Sequence, residues 1–514
     1  TGITTACNGE IYNYKELRQE LRGKGYSFLT DTDTEVILYG FIEWGEALWI
    51  RLNGIFSAVI WNPAASQLIL ARDHLGVKPV HYLQVGRRIY FGSDYNSFFA
   101  QTYTNIHFNE SSLLSYLSFR YVVGAQTFYN NIHDILPGSY RSFSSHKVEQ
   151  HAYWDIPTIT EDHDKGEAHY LKRLDRLLDQ AVDRQMMSDV PLGAFISGGL
   201  DSSTLIYFMN QKNPDIKTYI AGFDIEGYNE FEYADEVANS FNLSAKKILV
   251  DPNKFFDLTQ RVIQYRGEPP SIPHEAAFME MSRQMKTDIS VVLSGEGADE
   301  LFGGYGRIFR SPQDYYRSRF LGKPFPSMMD HFLSRYSWFN QQDKDELLHA
   351  DLLRDGHFDE YSEDYLSQLF SQFSDSEYFR AMYYIQGKLH LPNLLSRLDR
   401  MTMAHSIEAR VPFLDVELVE FVSSIPLHYK LRWNGLFDRL LGFFRHSNQI
   451  SEKLDTPKYI LKKLMEDRLP ENIVWRKKMG FPVPLDNWLS QPQFRDFASE
   501  ILLDSSSTIV LKSG

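Results

Sequence analysis

A short apolar run at 190–196 leads directly into the segment SGGLDSS (197–203), which is followed by apolar residues at helical spacing. A strand that ends in a glycine turn and continues into a helix is the opening unit of a parallel α/β sheet. The apolar spacing from 170 to 182 predicts an amphipathic helix before this strand. Two further strands are predicted at 218–223 and 289–293. This part of the chain therefore predicts an α/β domain.

The loop at 197–203 has the chemistry of a phosphate site. Gly198 and Gly199 let the backbone turn tightly and approach a ligand closely. The helix that begins there directs free N–H groups and the positive end of its dipole at the loop. Asp201 fits beside an anion when a divalent cation lies between them. Further hydroxyl donors are Ser197, Ser202 and Ser203. A glycine turn capped by serines is the alternative that the loop alone leaves open.

A second acidic motif, SGEGADE (294–300), follows the predicted strand at 289–293. Loops at the carboxyl ends of neighbouring parallel strands line one crevice, so we expect Asp299 to share a magnesium ion with Asp201. Glu296 is suited to proton transfer or to holding a cationic group of the substrate. The plainer alternative for this motif is a surface turn that ends a strand.

The first 155 residues have a different pattern, in which short β-branched and aromatic runs alternate with turn residues. Such runs occur at 54–61, 67–71, 81–83 and 89–91. They predict mostly antiparallel sheets with a few helices, one of which begins near Tyr14. The segment from 136 to 157 is predicted to be a turn and a connector. Beyond about 310 the apolar spacing predicts mainly helices.

The two glycine-rich motifs together resemble the PP-loop ATP pyrophosphatase superfamily. Other segments resemble the class II glutamine amidotransferase domain, and these are NGEIYNY (8–14), DTEVI (33–37), RLNG (51–54) and ARDHLGVKP (71–79). Segments that resemble the glutamine-dependent asparagine synthetase family lie at 397–404, 408–415 and 475–478. Because the segments occur in family order over nearly the whole chain, the resemblance is specific.

The resemblance implies two domains. Residues 1–155 would form an incomplete α+β glutaminase domain of the Ntn type, with antiparallel sheets. Residues 165–514 would form an α/β PP-loop synthetase domain with a parallel sheet and a helical extension. Glutamine would be held in the first domain, where Asn8 and the Gly9 N–H form an oxyanion hole. Glu10 and Asp33 would bind the amino group of glutamine.

In the second domain the resemblance implies adenylation of a carboxylate by ATP. The substrate carboxylate would attack the α-phosphate and release pyrophosphate, with Mg²⁺ on Asp201 and Asp299. Lys458 would stabilise the charge that develops on the phosphates, although an exposed helix-surface lysine is the simpler interpretation of that residue alone. The residues implied to bind ATP are Phe195, Ala221, Ser294, Gly295 and the loop at 197–203.

Two features depart from the family pattern. Class II glutaminases use an N-terminal cysteine, whereas residue 1 is Thr, so we expect a chain truncated at both ends that lacks glutaminase activity and uses free ammonia. Cys7 is expected to lie at a strand end as a buried small hydrophobe. The stretch EPPSIPHE (268–275) lacks the arginine that would hold an aspartate carboxylate, which leaves the acceptor open. His274 is a candidate substrate contact or an ordinary turn histidine.

Four functions therefore remain open. The first hypothesis is amidation of aspartate. The second is amidation of another acid, such as a sugar uronic acid. Intramolecular β-lactam synthesis is disfavoured by the retained glutamine-site residues Asn8, Glu10 and Asp33. A non-catalytic binding protein is disfavoured because it would not need all four of the charged residues Asp201, Glu296, Asp299 and Lys458.

Composition limits the kinds of binding partner that the chain is expected to have. The formal net charge is -14 and no basic stripe is present, which disfavours nucleic acid. No apolar run reaches about 18 residues, so no membrane partner is expected. The single cysteine cannot form an internal disulfide and fits a reducing, cytoplasmic setting. We expect small-molecule substrates, namely glutamine, ATP and an acid, and a homodimer is an assembly open to the chain.

Overall fold

The computed structural model describes residues 2–101, 105–145, 147–158, 163–348, 350–353, 360–478, 480 and 483–502. Over these residues an N-terminal region of antiparallel sheets precedes a larger region built on a parallel sheet and many helices. This arrangement confirms the predicted combination of an α+β region and an α/β region.

The N-terminal strands pair with antiparallel neighbours. They are β1 (Thr4–Ile11), β2 (Gly54–Asn62), β3 (Gln67–Arg72), β4 (His81–Val85), β5 (Arg88–Gly92), β6 (Ile132–Asp134), β7 (Ser139–Phe143) and β8 (Val148–Ala152). One sheet has the order β1-β2-β3-β7-β8 and a smaller one the order β5-β4-β6. The helices here are α1 (Tyr14–Gly23), α2 (Thr34–Trp44), α3 (Asn96–Phe99) and α4 (Ser112–Phe119). The helix predicted near Tyr14 is confirmed.

The prediction of a turn and connector from 136 to 157 is wrong. After a turn at 137–138, β7 and β8 extend the larger sheet. The sequence of β7, SYRSF, carries two serines that favour turns in isolation, yet Ser139 and Ser142 are buried beside their strand neighbours. Pairing with β3 supplies backbone partners that outweigh the weak local preference.

The strands of the C-terminal region confirm the predicted parallel sheet. They are β9 (Leu192–Phe195), β10 (Lys217–Gly222), β11 (Ala245–Leu249), β12 (Val291–Leu293), β13 (Glu408–Arg410), β14 (Leu431–Trp433) and β15 (Asp455–Pro457). The sheet order is β11-β10-β9-β12-β13, with parallel neighbours throughout, and β14 and β15 form a separate antiparallel pair. The sequence did not predict β11 or β13.

Helices pack against this sheet and form the predicted helical extension. They are α5 (Glu167–Met186), α6 (Leu200–Lys212), α7 (Phe231–Ser240), α8 (Phe255–Arg266), α9 (His274–Met285), α10 (Ala298–Phe302), α11 (Gly306–Phe309), α12 (Pro312–Phe320), α13 (Met328–Tyr336), α14 (Gln341–Leu347), α15 (Glu360–Ser371), α16 (Tyr378–Ile385), α17 (Leu391–Met403), α18 (Val416–Ser424), α19 (Leu427–Lys430), α20 (Leu436–Phe443), α21 (Ser447–Ile450), α22 (Tyr459–Met465), α23 (Glu471–Trp475), α24 (Leu485–Leu489) and α25 (Pro492–Leu502). In the described part of the chain, none of the helices combines the length and the apolar character needed to cross a membrane.

The strand order creates a crevice at the centre of the parallel sheet. From β9 the chain moves outward to β10 and β11, and it then returns to β12 on the other side of β9. Ligands of open α/β sheets bind where the direction of winding reverses, outside the carboxyl ends of the strands. The loops that follow β9 and β12 flank this switch point.

Candidate active site

The loop after β9 depends on one glycine with a left-handed backbone. Gly198 has φ +65°, and a Cβ atom there would lie 2.4 Å from the carbonyl carbon of Tyr233. The serines brace the turn, because the Ser202 hydroxyl accepts a hydrogen bond from the Ser197 N–H at 3.1 Å. The Ser197 hydroxyl in turn accepts one from the Gly199 N–H at 3.2 Å. The first turn of α6, which carries Asp201, is thereby held against the end of β9.

The loop after β12 lies on the other side of the crevice. Its first residue, Ser294, donates its backbone N–H to the carbonyl of Arg410 at 2.8 Å, which continues the pairing of β12 with β13. The Glu296 carboxylate then lies 3.2 Å from the guanidinium of Arg397 on α17. Asp299 follows in the first turn of α10. Two carboxylates therefore enter the crevice from this side.

Lys458 joins the two loops. Its ammonium lies 2.6 Å from both carboxylate oxygens of Asp201 and 2.5 Å from Oδ1 of Asp299. The ammonium of Lys478 lies 2.5 Å from Oδ2 of Asp299. Lys458 is only 5% exposed, so the interpretation of this residue as a surface lysine is wrong. Lys478 was not predicted from the sequence to take part in this site, although it lies in the segment 475–478 that resembles the family.

The charges of this cluster are strongly interdependent. Burial raises the pKa of Asp299, but the ammonium groups of Lys458 and Lys478 outweigh burial and hold that pKa well below its usual range. Burial also lowers the pKa of Lys458, yet the two carboxylates reverse the shift and raise it. Lys458 is therefore a permanent cation at neutral pH. A fixed positive charge of this kind is suited to stabilising phosphate oxygens.

Glu300 is a buried acid beside the cluster. Burial, followed by the charges of Asp299 and Glu296, raises its pKa to about 7, and the Tyr305 hydroxyl donates to it at 2.8 Å. The carboxyl group therefore exchanges its proton near neutral pH. Glu300 lies in the motif at 294–300, but its residue type alone did not predict a particular role.

A cavity of about 500 Å³ connects the two loops. Its apolar end includes Phe195, whose ring meets that of Phe278 edge-on at 5.9 Å. Most predicted ATP-site residues line it, namely Phe195, Ser197, Gly199, Asp201, Ser202, Ala221, Ser294, Gly295, Glu296, Asp299 and Lys458. The other two predicted residues of the loop do not line the cavity. Gly198 lies against Tyr233, and Ser203 is fully buried in α6. The volume is that of a small-molecule site.

Several cationic residues of the cavity were not predicted to take part. They are Arg397, Lys462, Arg476 and Lys478, and His274 also lines the wall. Arg476 forms an ion pair with Glu230, which also lines the cavity. The family-like segments at 397–404 and 475–478 were the available signal, but local sequence does not reveal that they meet at one cavity.

The N-terminal candidate residues lie on β1 and before α2. Gly9 has φ +136°, and a Cβ atom there would lie 2.0 Å from the carbonyl oxygen of Ile55, so only glycine fits. The Asn8 side-chain amide donates to the Ser93 hydroxyl at 3.1 Å. The Asp33 carboxylate accepts from the N–H of Ile11 at 2.8 Å, which holds it beside the strand.

Glu10 connects this N-terminal site to the parallel sheet. Its carboxylate lies 3.3 Å from the guanidinium of Arg410, the last residue of β13. Burial raises the pKa of Glu10 to about 7, although Arg410 opposes the shift. Arg410 also donates to the carbonyl of Gln185 at 2.9 Å. The same arginine thus anchors Glu10 and the strand that supports Ser294.

Cys7 lies inside β1 rather than at its end, and its side chain is half-buried rather than fully buried. Burial and then the charges of Asp33 and Glu10 raise the pKa of its thiol to about 12. The thiol is therefore protonated at neutral pH. This state agrees with the expectation that Cys7 is not a nucleophile.

Two known protein families match this chain, one over the N-terminal region and one over the C-terminal region. A family described as "Glutamine amidotransferase domain" matches residues 1–154, and one described as "Asparagine synthase" matches residues 173–511. "Asparagine synthetase [glutamine-hydrolyzing] 1" of Bacillus subtilis is 29% identical and aligns with 97% of this chain and 78% of its own length.

Two further relatives have similar names. "Asparagine synthetase [glutamine-hydrolyzing] 3" of the same organism is 28% identical, with 93% of this chain and 75% of its own length aligned. A "Putative asparagine synthetase [glutamine-hydrolyzing]" of Mycobacterium bovis is 28% identical, with 96% of this chain and 76% of its own length aligned.

The sheet, the cavity and these matches together define an ATP-using carbon–nitrogen ligase with a glutamine amidotransferase region. The chain belongs to the asparagine synthase family.

Proposed function

We propose that the chain converts aspartate to asparagine at the cavity between the loops after β9 and β12. The side-chain carboxylate of aspartate attacks the α-phosphorus of ATP, and the bond to the pyrophosphate group breaks. Ammonia then attacks the acyl carbon, and AMP leaves. The observation that carries this proposal is Lys458, whose ammonium contacts both Asp201 and Asp299 at the switch point of the sheet.

The family-implied magnesium ion fits this site. Asp201 and Asp299 offer the carboxylate oxygens that Mg²⁺ prefers, while phosphate oxygens and water complete its usual shell. In the described part of the chain, no group of three or more His, Cys, Asp or Glu side chains is placed to hold a metal alone. A magnesium ion held by Asp201, Asp299 and the phosphates of a nucleotide needs no third protein ligand. When bound, the ion would neutralise phosphate charge.

The backbone keeps the space beside these acids open. A Cβ atom at Gly304 would lie 1.8 Å from Oδ1 of Asp299 and 2.2 Å from Cε of Lys458. Any larger residue would therefore displace the carboxylate or the lysine. Lys458 can hold the pyrophosphate oxygens as they gain charge, because its ammonium remains protonated.

Cations supplied by distant segments support aspartate as the acceptor. The stretch at 268–275 lacks arginine, and the nearby Arg266 is neutralised by Glu268 and by Glu275, the latter at 2.7 Å. Unlike Arg266, the cations Arg397, Arg476 and Lys478 line the cavity, where each is also paired with an acid. A substrate with two carboxylates and one ammonium group needs cationic and acidic partners together, and the cavity offers both in the ion pairs of Arg397 with Glu296 and of Lys478 with Asp299.

We further propose glutamine as the natural nitrogen source. The acidic groups Glu10 and Asp33 suit its ammonium group, and Asn8 with Gly9 suits its amide oxygen. We assign the reaction to the cytoplasm, in line with the single cysteine, and we propose a homodimer as the assembly. Equilibrium sedimentation of the purified chain measures that assembly directly.

Substrate-dependent exchange of labelled pyrophosphate into ATP tests the adenylation step. Aspartate should support exchange, while glutamate, a uronic acid and buffer alone should not. Asp201→Asn should abolish exchange, and Asp183→Asn, at a side chain that is 70% exposed, should leave it intact. Exchange with a uronic acid but not with aspartate would replace the acceptor, and no exchange with any acid would exclude adenylation.

A further inference from the structure

A cluster of exposed apolar side chains surrounds α20, on the connection between β14 and β15. Leu436 is 83% exposed, Phe437 70% and Phe444 75%. We call this cluster the α20 patch, and its members are Phe320, Leu321, Leu436, Phe437, Leu440, Phe443 and Phe444. Isolated apolar residues are common on protein surfaces, but a contiguous cluster of this kind marks an interaction site.

The patch is held together by packing on the opposite face of α20. A Cβ atom at Gly442 would lie 2.4 Å from the ring of Trp433, so the helix sits directly on β14. The side-chain amide of Gln313 donates to the carbonyl of Gly442 at 2.7 Å. The rings of Phe320 and Phe443 meet at 5.5 Å, which joins the end of α12 to α20. The apolar face therefore points outward from an anchored helix.

Unpaired basic residues lie at the edge of the patch. Lys323, Arg439 and Arg445 are exposed. Over the described residues, none of these three side chains has an assigned hydrogen bond or ion pair. Two acids lie nearby, but Asp375 is paired with Arg319, and Asp438 is partly buried. The local charge is positive, although the whole chain has a formal net charge of -14.

We propose that the α20 patch binds the surface of an anionic lipid membrane, with Leu436, Phe437 and Leu440 inserted at the headgroup boundary. An amphipathic helix with Leu and Phe on one side and Arg beside it is suited to this position. Anionic lipids attract each nearby Lys or Arg. The net charge of the whole chain and the search for a long apolar run did not predict this surface. The net charge sums over the whole chain, and the patch combines residues from separate segments.

Charge distinguishes this partner from a second copy of the chain. In a two-fold symmetric dimer built on this patch, the same patch of both copies forms the interface, so both sets of three unpaired cations would be brought into it. An anionic bilayer offers the opposite charge over the whole surface. The proposal is independent of which acid the enzyme amidates.

The α20 patch is connected along the chain to the cavity at the switch point of the sheet. The connection that carries α20 ends in β15, and Lys458 follows Pro457 at the end of that strand. Arg310 fixes β15 through an ion pair with Asp455 at 2.6 Å. Helix α20 therefore lies between the two strands of one hairpin, and Lys458 follows the second strand directly.

Co-sedimentation of the full chain with lipid vesicles tests the proposal. We expect binding to vesicles of phosphatidylcholine mixed with phosphatidylglycerol and at least about tenfold weaker binding to phosphatidylcholine alone. The double variant Leu436→Ser/Leu440→Ser should weaken binding to the mixed vesicles by at least about tenfold. Arg439→Glu/Arg445→Glu should weaken it similarly and remove its dependence on salt.

The matched control is Leu29→Ser/Leu249→Ser, which changes two leucines that are 90% and 52% exposed elsewhere on the surface. Its binding should equal that of the unaltered chain. Failure of the unaltered chain to bind mixed vesicles, or equal binding by the Leu436/Leu440 variant, would overturn the proposal. A dimer in sedimentation experiments that the same variant dissociates would assign the patch to a second copy instead.

Discussion

The ammonium of Lys78 lies 2.7 Å from the carboxylate of Asp399, and the two side chains are only 1% and 5% exposed. Lys78 belongs to the N-terminal region, whereas Asp399 lies on α17 of the C-terminal region. The same helix carries Arg397 beside Glu296 and Arg400 beside His81. One helix thus contacts both the cavity between the loops after β9 and β12 and the N-terminal region.

Breaking this buried ion pair should destabilise the protein. Lys78→Met leaves the Asp399 carboxylate without its counter-ion, and we expect a loss of about 3–5 kcal/mol in the free energy of unfolding. The double variant Lys78→Met/Asp399→Leu should recover most of the loss, because neither charge remains buried. Urea unfolding measures both. A double variant no more stable than the single one would contradict this prediction.

The loop after β9 should tolerate alanine at only one of its two glycines. Gly198→Ala places a Cβ atom 2.4 Å from the backbone of Tyr233 at a positive φ, so we expect a loss of more than about 1 kcal/mol. At Gly199, φ is -86° and a Cβ atom meets only the Ser197 hydroxyl, at 3.2 Å. Gly199→Ala should therefore change the stability little. Thermal unfolding compares the two variants, and equal losses would refute the prediction.

Removing the Lys458 ammonium should slow adenylation. We expect Lys458→Met to reduce pyrophosphate exchange by at least about 10²-fold, because a fixed cation at the phosphates is lost. Lys463→Met is the matched control on α22, since Lys463 is partly exposed and paired with Glu466. Its exchange rate should remain normal. A normal rate in Lys458→Met would rule out the proposed task of this lysine.

The raised pKa of Glu10 predicts a pH dependence of stability. The carboxyl group titrates at a pKa of about 7 in the folded chain, against a model-peptide value of 4.5. Between these values the folded state binds more protons than the unfolded state, so the contribution of Glu10 to stability decreases as pH rises through this window.

Glu10→Gln removes that titration, so the variant should gain stability relative to the unaltered chain between pH 4.5 and pH 7. Urea unfolding at the two ends of the window provides the measurement. Comparing the two chains at each pH cancels other titrating groups, including Glu300. An unchanged difference between the two chains across the window would show that Glu10 does not titrate there.

Much of the fold follows from local pattern. The helical spacing before 186, the apolar runs of β9 and β10 and the alternation in β2 are properties of short segments, and each predicted element is present. β7 was misassigned because its serines favour turns, and β13 was missed because three residues carry little periodicity. These two strands exist because neighbouring strands supply their hydrogen-bond partners.

The amino-acid sequence by itself determined the glycine loop, its acids and the order of the family-like segments, because these depend on neighbours along the chain. Only the tertiary structure decided which cations meet those acids. Lys458 lies 257 residues beyond Asp201, and Lys478 lies 179 beyond Asp299. Contacts over such separations are set by how the helices pack around the sheet. The partly buried carboxylates of Asp201 and Asp299 have like charges, and those distant cations offset their repulsion.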